Sequence, residues 1–128
     1  MRRLIEAAKN SARAWNFLIR NEEAFRLEAI LLALALPVAW IISPSWRGYG
    51  LLIASLLVLM IVEVLNTGIE AVCNAVTREF SPNIRLAKDC GSLAVALAAL
   101  LAAGIWLLAV WEWRMQPTPW LIMRPKAG

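Results

Sequence analysis

Residues 51–76 read LLIASLLVLMIVEVLNTGIEAVCNAV. The run is apolar enough for lipid, yet it carries Glu63, Asn66, Glu70 and Asn74. These four fall at i, i+3, i+7 and i+11. At about 100° per residue they share an arc of roughly 80° on one helix face. An ionised side chain at the centre of a membrane helix costs about 2.5–3.5 kcal/mol on insertion scales. Such residues face a protein interior and mark a pathway or an active site. Two acids and two amides on one stripe predict a polar seam for a metal, a phosphate or a proton.

The rest of the chain places this helix in a membrane. Of 128 residues, 61% are hydrophobic. Gly91 to Trp111 holds 21 residues without a formal charge, enough to span about 30 Å of hydrocarbon. Ala29 to Trp46 is uncharged for 18 residues, interrupted by Pro37, Ser43 and Pro44. The pattern predicts an all-α membrane protein with spans over about 26–46, 49–76 and 90–113. A soluble helical bundle is the competing reading. The third stretch opposes it, because that stretch lacks a polar face. Neither an internal repeat nor a second domain is visible, so 1–113 reads as one domain.

Charge placement predicts orientation. The net charge is +4. Arg2, Arg3, Lys9, Arg13, Arg20 and Arg26 precede the first span, and the second loop holds Arg78, Arg85 and Lys88. The first loop has only Arg47. The positive-inside rule puts the N-terminus and second loop in the cytoplasm. The basic residues flank spans rather than line a soluble face, which argues against nucleic acid. There is no histidine and no CxxC, which removes the usual zinc sites and any Ser-His-Asp triad. Cys73 and Cys90 lie near cytoplasmic span ends, where thiols stay reduced. No cleavable signal peptide is expected, since polar residues occupy the place of an apolar h-region.

Outside the spans the reading is simpler. Leu4, Ala8, Ala12, Trp15 and Ile19 recur at helical spacing, opposite Arg2, Arg3, Glu6, Lys9 and Arg13. Residues 1–20 thus predict an amphipathic helix lying on the membrane. Residues 21–28, NEEAFRLE, offer Glu22 and Arg26 as an i,i+4 pair. Ser81-Pro82-Asn83 breaks the second span's helix and favours a turn or a new helix start. Lys88, Asp89 and Ser92 can face one way. The segment 114–128, with Pro117, Pro119 and Pro125, is expected to be irregular.

No GxxxxGK[ST] or GxGxxG loop is present. The seam still has parts for phosphoryl transfer. Carboxylates suit Mg²⁺ shared with substrate phosphates, and a second carboxylate can take a hydroxyl proton. A lysine near the phosphates offsets their charge. The same residues would serve a proton relay or ion transporter, and the chemistry alone leaves both open.

Three elements carry a resemblance. Glu63-Val64-Leu65-Asn66-Thr67-Gly68-Ile69-Glu70-Ala71-Val72 is similar to the E-x-L-N-[ST]-x-[IL]-E-x-V signature of the prokaryotic diacylglycerol kinase family. Ala87-Lys88-Asp89-Cys90-Gly91-Ser92 resembles its A-K-D-x-[GA]-S element, and Glu22-Glu23-Ala24-Phe25-Arg26 its E-x-x-F-R element. The order and spacing agree across roughly residues 1–112.

The resemblance implies a homotrimeric inner-membrane lipid kinase, with a surface helix, three spans and active sites shared between protomers. It implies transfer of the ATP γ-phosphate to a lipid hydroxyl with Mg²⁺. By resemblance Glu63 is the catalytic base, and Glu22 and Glu70 hold the metal on ATP. Glu79, Lys88 and Asp89 contact ATP as well. Arg3, Glu28, Glu63 and Ser92 fall on the lipid side, while Asn66 and Asn74 brace the seam. Family members commonly carry Asp where this chain has Asn74. Gly91-Ser92 and Phe25-Arg26-Leu27-Glu28 resemble the diacylglycerol group more than the Gram-positive relatives that act on undecaprenol.

Overall fold

A computed structural model describes residues 1–116. Four helices follow one another: α1 (Arg2–Asn21), α2 (Glu23–Ile42), α3 (Trp46–Val76) and α4 (Pro82–Arg114). The segment with Pro117, Pro119 and Pro125, expected to be irregular, lies outside the described residues, apart from Arg114, which closes α4, and Met115 and Gln116.

Each boundary has a local cause. α1 ends where the Glu22 N–H donates to the Leu18 carbonyl at 2.9 Å and Glu22 turns extended, at φ −110° and ψ 108°. Asn21 Nδ2 donates to the Phe17 carbonyl at 2.8 Å, folding this last side chain of α1 back onto its own final turn. α2 stops at Ile42, short of the expected 46, because Pro44 disfavours helical geometry at Ser43. Within α2, Pro37 lacks the N–H that would reach the Ala33 carbonyl. Ser45 caps α3 by accepting from the Gly48 N–H at 3.1 Å. Pro82 occupies the first turn of α4, where its missing N–H costs nothing. α4 therefore starts eight residues before the apolar stretch expected from residue 90.

α2, α3 and α4 are each long and apolar enough to cross a membrane. Their outer faces hold large apolar side chains in the open, such as Leu100 at 69% and Leu107 at 70% exposure. A soluble bundle would not leave so continuous an apolar surface to water. The soluble alternative is therefore not the one the fold favours.

Two clusters hold the helices together. At one end Leu18, Phe25 and Met60 join α1, α2 and α3, with Ile19, Ala29 and Leu32 against them. Trp15 packs edge-on to Phe25, centroids 5.2 Å apart. At the other end Ala39, Ile42 and Leu52 pack with Tyr49, Ile105 and Trp106. There the Trp106 indole N–H donates to the Leu52 carbonyl at 3.2 Å. Trp40, Trp46 and Tyr49 meet edge to face at the same end. Along its inner face α4 turns Gly91, Ala98 and Ala102 inward. Small side chains let helix backbones approach closely where no hydrophobic drive exists between them and lipid.

Candidate active site

The acidic stripe sits at the end opposite the aromatic cluster. Glu63 and Asn66 are buried in α3, at 6% and 9% exposure. Glu70 is half-buried two turns further on, about 10 Å along the axis, and Asn74 is exposed another turn beyond. The helical period thus produces a gradient along one face, from a buried acid to an open amide.

Glu22 reaches this stripe through the corner between α1 and α2. Arg26 Nη1 donates to the Ile19 carbonyl at 3.0 Å, and the Arg26 N–H donates to the Glu22 carbonyl at 3.1 Å. One residue thereby closes the end of α1 and opens α2. Spacing predicted a Glu22–Arg26 pair instead. That pairing needs a continuous helix, and Glu22 stands in the extended corner between two. Held there, Glu22 acts electrostatically on Glu63, as does Glu70. Glu28, one and a half turns into α2, is near enough to Glu63 to feel its charge. Three elements thus bring Glu22, Glu28, Glu63 and Glu70 to one region.

Two buried acceptors in this region, Glu28 Oε2 and Asn66 Oδ1, have no hydrogen-bond partner among the described residues. Leaving such an atom unpaired costs about 1–3 kcal/mol. Below them lies an apolar groove of about 430 Å³, lined in part by Leu31, Ala35, Leu56, Leu59, Ala99 and Ala102. Leu31 is one turn from Glu28 and Leu59 one turn from Glu63, so the groove runs directly off the acids.

The α4 residues divide. Lys88 Nζ donates to Asn74 Oδ1 at 2.9 Å, which joins the start of α4 to the end of α3. Asp89 turns the other way, 4.0 Å from Arg85 and exposed. Ser92 is exposed on α4. Glu79 lies in the connection between α3 and α4, where its N–H donates to Thr77 Oγ1 at 3.0 Å. Arg3 is exposed at the far end of α1 from Glu22, about 28 Å away along the helix. One chain therefore does not bring Arg3 to the seam. Gly91 is a contact that periodicity could not find. Asn66 Oδ1 occupies the place a Cβ of residue 91 would take.

The oxygen chemistry suits a hard cation. Among the described residues no three His, Cys, Asp or Glu side chains stand together as a metal site. Mg²⁺ does not need three, since it commonly takes one or two carboxylates and completes its shell with waters and substrate phosphates. Glu22 and Glu70 are carboxylates of that kind, so the donor set fits a phosphate-borne ion better than a resident one.

A stripe of acids entering a three-span bundle at one end defines a small polytopic membrane protein with a polar site at its interface. Residues 9–110 match the family model described as prokaryotic diacylglycerol kinase, and the chain belongs to that family. It is 37% identical over 110 residues to the diacylglycerol kinase of Escherichia coli K12, covering 86% of this chain and 90% of the relative. The Pseudomonas aeruginosa diacylglycerol kinase is 34% identical over 106 residues, covering 83% and 86%. That of Haemophilus influenzae is 30% identical over 103 residues, covering 80% and 87%. With three candidate spans and bacterial relatives, this is a bacterial membrane protein.

Proposed function

We propose that the protein is an ATP-dependent diacylglycerol kinase, forming phosphatidate for phospholipid metabolism. One observation carries this most: a buried carboxyl, Glu63, lies between half-buried acids and an apolar groove. Starting from Trp46, about 20 residues fill the hydrocarbon, which ends near Asn66. Glu63 then stands at the inner rim of the bilayer, and Glu70 and Asn74 in water. A lipid hydroxyl can reach the first with its acyl chains in the groove, and a nucleotide the second. The names of the relatives favour neither an undecaprenol kinase nor an ion transporter.

In the reaction proposed, the lipid lies in the groove with its hydroxyl against Glu63. The unpaired Glu28 Oε2 is an acceptor at the same depth and can orient that hydroxyl. Glu63 takes the hydroxyl proton as the oxygen bonds to the γ-phosphorus of ATP. The bond from that phosphorus to the β,γ-bridging oxygen breaks, and ADP leaves. Lys88, held by Asn74, offers its ammonium to the phosphates; Glu79, in the α3–α4 connection, lies at the same end, and Asp89 would have to leave Arg85 to reach the nucleotide. Mg²⁺ on Glu22 and Glu70 would neutralise phosphate charge. Catalysis of this kind rests on positioning and charge rather than covalent chemistry.

The orientation proposed has the N-terminus and the α3–α4 connection in the cytoplasm, with α1 on the membrane surface. A homotrimer with shared sites would let Arg3 serve a neighbouring protomer's seam, which the length of α1 denies it within one chain, and would set the exposed Ser92 of α4 against a neighbour.

The test is a kinase assay on purified protein with ATP and Mg²⁺ in mixed micelles of diacylglycerol or undecaprenol. Phosphatidate is the expected product. Undecaprenyl phosphate alone would move the protein to the other lipid. Ion flux in liposomes without phosphoryl transfer would replace the kinase reading.

A further inference from the structure

Gly91 and Asn66 meet across the α3–α4 interface. The amide oxygen of Asn66 fills the space where any other residue at 91 would hold its Cβ, with Cγ at 3.2 Å and Cβ at 3.8 Å from that point. Gly91 is buried, as are Ala98 and Ala102 further along the same face of α4. Those alanines show how close α3 approaches: a methyl is tolerated there. At 91 a methyl would meet the Asn66 amide oxygen, so that side chain would have to move. That side chain is 9% exposed, and its oxygen has no hydrogen-bond partner among the described residues. It lies against the Cα of Gly91, whose C–H is a weak donor of the kind that recurs at helix interfaces.

An amide left so poorly paired needs another reason to be where it is. Asn66 lies one turn after Glu63. Side chains on a helix lean toward its N-terminus and cover the residues three and four positions back. Asn66 therefore overlies Glu63. If the oxygen were driven from its seat, the few rotamers open to a helical Asn would carry the amide along α3 over Glu63, or α4 would move outward. Both change the position of the carboxyl.

We propose that Gly91 is a positioning residue: its missing Cβ seats the Asn66 amide between α3 and α4, and the seated amide sets where Glu63 stands. The inference rests on the lipid-kinase reading for its kinetic consequence, but not for the seating itself. Gly91 touches no reactant. Its effect passes through Asn66 to the base.

The experiment compares Gly91→Ala, Asn66→Ala and the double variant in the assembled protein, with ATP, Mg²⁺ and diacylglycerol micelles. Gly91→Ala is expected to lower kcat by about 10²-fold, the scale of a 1 Å misplacement, with the KM for ATP unchanged. In the double variant the collision is gone, so adding Gly91→Ala to Asn66→Ala should cost nothing more. Losses that multiply would overturn the proposal, and so would wild-type turnover in Gly91→Ala. Should Gly91→Ala fail to assemble, recovery of assembly in the double variant supports the shared space, and no recovery overturns it.

A second readout needs no activity. The side-chain amide NMR signals of Asn66, assigned by their loss in Asn66→Ala, should shift in Gly91→Ala. Unmoved signals would overturn the seating. A wild-type protein that phosphorylates no lipid would end the kinase reading and leave this measurement standing.

Discussion

Lys88 Nζ donates to Asn74 Oδ1 at 2.9 Å, across 14 residues of sequence and two helices. The amide orients the ammonium without cancelling its charge. A carboxylate in that place would compete with nucleotide phosphates for the same cation. Asn74→Asp should therefore raise the KM for ATP by up to about fivefold, from an exposed pair contributing about 0.2–1 kcal/mol. kcat should hardly change. Steady-state kinetics at low and high salt check this, since screening should shrink the difference. An unchanged or lower KM would remove Lys88 from the nucleotide.

Glu63 is the buried member of the acid stripe. Glu63→Gln keeps its shape and loses its ability to take a proton. Lipid phosphorylation should fall by about 10²-fold or more, while nucleotide binding and assembly persist. Turnover assays beside equilibrium ATP binding check the split. Near-normal turnover would leave the reaction without its base.

Glu22 and Glu70 come from different elements yet both act on Glu63. If they share one Mg²⁺, Glu22→Gln and Glu70→Gln each weaken ATP use and raise the Mg²⁺ needed for half-maximal rate. The double variant should fall well short of the product of the two losses, as residues acting as a unit do. Independent, multiplying losses would mean that they do not meet at one ion.

Arg26 holds the corner that presents Glu22. Removing the guanidinium leaves the Ile19 carbonyl without that donor and frees the turn. Arg26→Ala should cost about 0.5–1.5 kcal/mol, since the bond is exposed and water can replace the donor, and should weaken ATP use more than lipid binding. Thermal unfolding in detergent and ATP titrations check it. Equal loss for both substrates would argue for general unfolding instead.

Topology is checked by labelling. After Cys73 and Cys90 are replaced, a cysteine at Ser45 should react with an impermeant reagent in intact cells. One at Asn83 should react only after lysis. Labelling at Asn83 from outside would reverse the orientation expected from loop charge.

Much of this molecule is legible in one dimension. Helices, spans and the stripe of Glu63, Asn66, Glu70 and Asn74 follow from a period of 3.6 residues and from the cost of charge in lipid. Both act within a single segment, so sequence alone determines them. The break at Ser81-Pro82 is local in the same way. What the sequence left open depends on contacts between segments. That Arg26 caps α1 rather than pairing with Glu22 depends on an extended residue at the corner. That Lys88 meets Asn74 while Asp89 turns to Arg85 depends on the rotation of α4 about its axis. That Asn66 fills the space beside Gly91 depends on how closely α3 and α4 approach. Periodicity orders residues around one helix, but the rotation and spacing of two helices are set only when their side chains pack together.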